Sequence, residues 1–186
     1  MMDPLLQIDN LVIEFDTPKG RRRVVDEVSL TLGRGEVLGV LGESGSGKTM
    51  TTRAILGLVK GSPGVMGGKI TFHDEAGPVE LLQDLETTIE TSHGGVRHKH
   101  QRVWDGIVER RMKSMWGRSM TAVFQNPRHS LDPLLTAGAQ VGESIRLAHP
   151  KLGRPEVRLK AIDWLDQVQM NQPERVYGCY PHELSG

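Results

Sequence analysis

The chain has 186 residues, with 23 Lys and Arg against 23 Asp and Glu and a formal net charge of zero. That length accommodates one domain, or one and a fraction, and is enough to bury a sizeable core. Balanced charge excludes a dedicated nucleic-acid binder, which carries a basic excess, so no nucleic-acid partner is expected.

Hydrophobic residues at 37% and charged residues at 25% are an ordinary globular mixture rather than a disordered one. The single cysteine, Cys179, cannot form an internal disulfide or build a Cys-based metal site alone. It reads as a structural residue in a reducing compartment. The start of the chain shows no basic segment followed by an apolar run, so no signal peptide is expected. No apolar run approaches the ~20 residues of a membrane helix. The chain is expected to be soluble, with any membrane role arising through a partner.

The first forty residues read as short strands. Leu11, Ile13 and Phe15 alternate with Val12 and Glu14, and Val28, Leu30 and Leu32 alternate with Ser29 and Thr31. After the Gly33-Arg34-Gly35 turn, Val37–Leu41 is a continuous apolar run, as expected of a strand buried on both faces of a parallel sheet. A glycine-rich loop follows. Then comes a helix with Ala54, Ile55, Leu58 and Val59 on one face, ended by Gly61, Pro63 and Gly64. Ile70 and Phe72 predict a further strand.

Residues 74–118 change character. Asp74–Glu90 holds six acids and no Lys or Arg, whereas Arg97–Arg118 holds seven Lys or Arg against Asp105 and Glu109. This split predicts a solvated helical hairpin or a partly mobile insertion whose two halves pair by charge. Trp104 and Trp116 are expected to anchor it. The pair His98 and His100, two residues apart among Lys and Arg, reads as a basic face rather than a metal site. Met120–Phe124 predicts another buried strand. Helices are expected over Thr136–Ala148, with Val141, Ile145 and Ala148 inward, and over Pro155–Val168, with Val157, Ala161, Ile162, Leu165 and Val168 inward.

Gly42-Glu43-Ser44-Gly45-Ser46-Gly47-Lys48-Thr49 matches the phosphate-binding pattern G-x-x-x-x-G-K-[ST], between an expected strand and an expected helix. Glycines let the backbone turn tightly and approach a phosphate without a Cβ in the way. Successive N–H groups then form an anion nest at the positive end of the helix. Lys48 supplies a mobile charge for the β- and γ-phosphates. The Thr49 hydroxyl is suited to Mg²⁺, a hard cation that takes oxygen ligands. Met50, next in the chain, completes the expected nucleotide-binding stretch. Nucleoside triphosphate binding follows from this loop; the fate of the γ-phosphate does not.

Three segments together carry a resemblance. The loop in the form G-E-S-G-S-G-K-T, the stretch Val123-Phe124-Gln125-Asn126-Pro127, and Tyr180-Pro181-His182-Glu183-Leu184-Ser185-Gly186 resemble the ATP-binding subunits of ABC transporters. The likeness is strongest to the oligopeptide, dipeptide and nickel importer group. That group keeps a pattern matched here by Phe124-Gln125, Pro127, Ser130-Leu131 and Pro133. The resemblance implies that Gln125 reaches the Mg²⁺ and γ-phosphate, and that Lys48 and Gln125 are the catalytic residues present. It implies that Phe15 stacks on adenine, although Phe15 equally continues the strand alternation as a core residue. Ser185 and Gly186 would open the signature that contacts the γ-phosphate held by a second subunit. Ser185 also reads as a plain helix N-cap.

The resemblance further implies ATP and Mg²⁺ as cofactors. The partners would be membrane-spanning permease subunits, a second ATP-binding subunit in a head-to-tail dimer and, indirectly, a solute-binding protein. The chain would lie peripherally on the cytoplasmic face of the membrane. The fold class implied is α/β: a P-loop NTPase core with a mainly parallel sheet, an N-terminal antiparallel β subdomain and a helical subdomain, incomplete because the chain stops within the signature. Residues 1–73 would be the β subdomain and P-loop, 74–118 the charged insertion, 119–125 a core strand and Q-loop, and 126–186 the helical subdomain. The family's catalytic glutamate has no counterpart here, so the chain is expected to bind ATP weakly without useful turnover. Two other readings stay open: a non-hydrolysing nucleotide-binding remnant, and a soluble P-loop kinase or GTPase.

Overall fold

The computed structural model describes residues 3–75, 77–93, 96–125 and 130–184. The chain divides into two compact units, Met1–Trp116 and Gly117–Gly186.

In the first unit, β1 (Pro4–Thr17) and β2 (Gly20–Gly33) form a long antiparallel hairpin. The Thr17 hydroxyl donates to the Gly20 carbonyl at 2.6 Å and closes the turn. β3 (Pro63–Asp74) pairs with the other edge of β1, and β4 (Gly77–Glu80) pairs with β3, giving the order β2-β1-β3-β4. Leu6 and Ile8 are buried on β1, and so are Leu11 and Ile13, although strict alternation would put the two pairs on opposite faces. A register shift between Ile8 and Leu11, with Asn10 at φ 49°, resets the alternation so that both pairs reach the core. Val25, Val65, Met66, Ile70 and Phe72 complete this core.

The helix after the glycine-rich loop, α1 (Lys48–Ile55), is shorter than expected. It stops because Gly57 takes φ +67°, a left-handed conformation that ends a helix and favours glycine. The expected Val37–Leu41 strand is not formed. Val37 and Leu41 are 94% and 95% exposed, and no strand among the described residues pairs with this segment. The physical reason is that an apolar run becomes a buried strand only when neighbours satisfy its N–H and C=O groups and cover its faces. The same correction applies to Met120–Phe124, which forms no strand, with Val123 94% exposed. The sheet and the helices give the expected α/β class, and among the described residues every strand pair is antiparallel, with none of the expected parallel pairs.

The charged insertion is folded, and not as a helical hairpin. β5 (Ile89–Thr91) and β6 (Arg97–Lys99) form a second small sheet, followed by α2 (Gln101–Met112). The run Thr87-Thr88-Ile89 is β-branched and stiff at χ1, which disfavours a helix in the acidic half. Its opposite charges do pair, Arg97 with Glu86 at 2.9 Å and Arg111 with Asp84 at 3.1 Å, and His100 Nε2 lies 2.9 Å from a Glu90 carboxylate oxygen. Beneath them Leu81, Leu82, Leu85, Trp104, Val108 and Met112 are buried. The Trp116 indole N–H donates to the Leu56 carbonyl at 3.0 Å and ties the insertion to the end of α1.

The second unit is helical: α3 (Ala137–Ala148), α4 (Arg154–Gln167) and α5 (Pro173–Gly178). Thr136 caps α3 by accepting from the Ala139 N–H at 3.2 Å. Pro155 in the first turn and Glu156, accepting from the Gly153 N–H at 2.7 Å, start α4. The core gathers Ile145, Val157 and Ala161 with Val141, Leu152, Trp164 and Tyr177. Val168, expected inward, is exposed, because it lies past the last turn of α4. Among the described residues no helix is long and apolar enough to cross a membrane.

Candidate nucleotide-binding site

The glycine-rich loop leads directly into α1, as its spacing requires. Gly47 is the N-cap residue, at φ +91°, and provides no side chain to cap the helix. The loop is seated on β2. A Cβ on Gly47 would stand 2.7 Å from the Val24 carbonyl oxygen and 3.2 Å from Val25 Cγ2. Behind it Thr51 is buried, with its N–H and hydroxyl both donating to the Gly47 carbonyl, at 2.9 and 3.2 Å.

Lys48 folds back into the loop. Its ammonium donates to the carbonyls of Gly42 at 2.7 Å and Glu43 at 2.6 Å, and to Ser46 Oγ at 3.2 Å. All three donors of the ammonium are therefore used within six residues. The Ser46 N–H donates to the Glu43 carbonyl at 3.3 Å and tightens the turn that includes Ser44 and Gly45. Thr49 lies exposed on the first turn of α1, beside half-buried Met50.

Phe15 is half-buried on β1, and its ring packs so closely on Gly61 that a Cβ there would lie 2.9 Å from Phe15 Cε1. Gln125 is exposed in the second unit. Asn126 and Pro127 of the same stretch, and Ser185 and Gly186, lie outside the described residues. Leu184 follows a 3-10 turn in which Glu183 accepts from the Tyr180 N–H at 2.8 Å. The structure thus brings Gly42, Glu43, Ser46, Gly47 and Lys48 together in one loop. Val24, whose carbonyl forms the seat under Gly47, carries no sequence signal for that role, because the contact is set by tertiary packing.

A glycine-turned loop, a lysine folded into it and an uncapped helix start define a P-loop protein. The chain belongs to the ABC transporter family, whose model matches residues 25–186. It is 36% identical over 183 residues to a Brucella abortus (strain 2308) protein named for peptide import and ATP binding, covering 98% of this chain and 47% of that one. It is 33% identical over 182 residues to the dipeptide transport ATP-binding protein DppD of Escherichia coli (strain K12), with the same two coverages. It is 31% identical over 185 residues to the oligopeptide transport ATP-binding protein OppD of Mycobacterium tuberculosis (strain H37Rv), covering 26% of that protein. The chain therefore spans about half the length, or less, of these relatives. Family membership sets aside the soluble kinase or GTPase reading.

Proposed function

We propose that the chain is the P-loop-bearing part of an ATP-binding, energy-coupling subunit for peptide import. The observation that carries this reading is Lys48 folded into the Gly42–Thr49 loop at the start of α1, in a chain of this family whose relatives are named for peptide transport. The loop is contracted on Lys48. A triphosphate would replace the carbonyls of Gly42 and Glu43 as the acceptor for the ammonium, a charge-assisted exchange favoured by the phosphate's full negative charge. The first-turn N–H groups of α1, uncapped by Gly47, would bind the same oxygens. The exposed Thr49 hydroxyl would hold Mg²⁺, which supplies neutralisation of phosphate charge. Phe15 would stack on the base, and Gln125 would act at the γ-phosphate.

Cleavage of ATP to ADP and phosphate belongs, on this reading, to the whole protein. So do pairing with a second such subunit through Ser185 and Gly186, docking on permease subunits at the cytoplasmic face, and service of a solute-binding protein. The direct test is equilibrium dialysis of the chain with ATP and Mg²⁺. Binding that is lost in Lys48→Ala, with the fold retained by circular dichroism, is the expected result. Equal binding by the Lys48→Ala chain would overturn the assignment of the loop.

A further inference from the structure

Phe15 and the phosphate loop share one face of the β1–β2 hairpin. Ile13 is the cross-strand partner of Val25, whose Cγ2 a Cβ on Gly47 would meet at 3.2 Å. Cross-strand partners point to the same face, and so do residues two apart on one strand. The register shift after Ile13 falls on β2, where Val24 is skipped, and β1 runs against β3 without a shift from Ile13 to Phe15. Phe15 therefore follows Ile13 on the loop's side of the hairpin, about 7 Å further along β1. Its partners across the two ladders are Arg22 on β2 and Pro63 on β3.

The segment 58–62, between α1 and β3, closes on that ring. Gly61 stands at φ +112°, a conformation that glycine adopts freely and L side chains rarely do. A Cβ on it would lie 2.9 Å from Phe15 Cε1 and 3.1 Å from Phe15 Cδ1, and apart from its chain neighbours would meet no other heavy atom within 4 Å. The two ring carbons are adjacent, so Gly61 abuts a single edge of the ring, and Phe15 stays half-buried rather than covered. The following residue fixes the spacing: the Asp16 N–H donates to the Ser62 carbonyl at 3.0 Å. Backbone on the two sides of the contact is thus joined, and the bare Cα of Gly61 sets where the ring can lie. An added methyl group would displace the ring, the free end of a side chain, before it moved the tied backbone.

We infer that Gly61 is a positioning residue for the nucleotide base, holding the edge of the Phe15 ring so that a purine stacks on it beside the phosphate loop. The inference rests on the nucleotide reading above and extends it to a residue outside both the loop and β1.

The test uses the full chain and two probes, MgATP and Mg²⁺ tripolyphosphate, which share the phosphates and differ in the nucleoside. Gly61→Ala should weaken MgATP by about fivefold or more, the lower end of what one base–aromatic stack is worth, and leave tripolyphosphate unchanged. Phe15→Ala should do the same. Gly61→Ala added to Phe15→Ala should cost nothing further, because the two positions share one contact. Circular dichroism checks the fold of each variant. A second measurement needs no substitution: in amide NMR of the parent chain, the Gly61 signal should move with MgATP and stay in place with tripolyphosphate. Equal weakening of both probes by Gly61→Ala, an equal loss with and without the Phe15 ring, an unchanged MgATP affinity, or a Gly61 signal indifferent to MgATP would each overturn this inference alone. No binding of MgATP by the parent, or equal binding by Lys48→Ala, would overturn the nucleotide reading and the inference with it.

Discussion

A Cβ placed on Gly47 would stand 2.7 Å from the carbonyl oxygen of Val24. Backbone of the loop thus rests directly on backbone of β2, with no room for a side chain. Gly47 is also at φ +91°, which L side chains adopt at a cost of roughly 1–2 kcal/mol. Gly47→Ala should therefore lower the stability of the first unit by about 2 kcal/mol or more, and abolish MgATP binding although Lys48 is intact. Urea denaturation and equilibrium dialysis check both. A Gly47→Ala chain with the parent midpoint would refute the seat on β2.

Arg111 holds the acidic half of the insertion. It donates to the Leu81 carbonyl at 3.1 Å, the Gln83 carbonyl at 2.8 Å and Asp84 at 3.1 Å, with its side chain only 17% exposed. Three acceptors in this arrangement require a planar fork. Arg111→Lys should lose most of what Arg111→Ala loses, about 1.5–3 kcal/mol. Hydrogen exchange of the amides over 81–88 should accelerate in both. Parent-like protection in Arg111→Lys would show that charge alone suffices.

Gly138 in α3 lies against the ring of Tyr177, too close for any added side-chain atom. Gly138→Ala should destabilise the second unit by about 1–3 kcal/mol through overpacking. Adding Tyr177→Leu should recover a large part of that loss, because the two positions share one contact. Thermal melts of the two single variants and the double variant close the cycle. Additive effects would contradict the shared contact.

Lys99 gives the chain a pH signature. Its ammonium donates to the Val65 carbonyl at 2.9 Å and lies 5.7 Å from the Trp104 ring centroid. Burial pushes its pKa down from 10.5 to about 8, partly opposed by Asp105. The unfolded chain therefore binds more protons than the folded one between pH ~8 and ~10.5, and stability from this group rises with pH across that window. The difference in unfolding free energy between the parent and Lys99→Met should change in the parent's favour as pH rises through it. A flat difference would show that Lys99 is not desolvated.

Where a sequence signal is local, the structure follows it. The glycine spacing marks the loop and the start of α1. The 3.6-residue period marks α3 and α4, where Thr136 and Pro155 set the first turns. Period-2 alternation marks the β1–β2 hairpin, but not the register shift at Asn10 that lets Leu6 and Leu11 share a core. Charge segregation over 74–118 foretells the pairing of Arg97 with Glu86 and Arg111 with Asp84, and says nothing of the β5–β6 hairpin. Val37–Leu41 and Met120–Phe124 show the limit. Their composition is that of buried strands, yet burial depends on neighbours that composition does not contain. Val24 stays silent in the sequence for the same reason, since it acts through a contact made in space.

The peptide joining β2 to α1 is tied at both ends: upstream, the Gly33 N–H donates to Glu36 Oε2 at 2.7 Å and the Glu36 N–H to the Gly33 carbonyl at 3.2 Å. Gly47 and Thr51 anchor its downstream side, while Val37 and Leu41 stand in solvent. Ordering each residue of such a segment costs about 1–2 kcal/mol of backbone entropy. A ligand that immobilises the loop bears part of that cost, and a strand laid along residues 37–41 would remove it beforehand. Grip on the ligand and completion of the sheet are then a single coupled equilibrium. Whatever factor one lends the other is returned in equal measure, so nucleotide affinity at this loop doubles as a gauge of how far its sheet has been assembled.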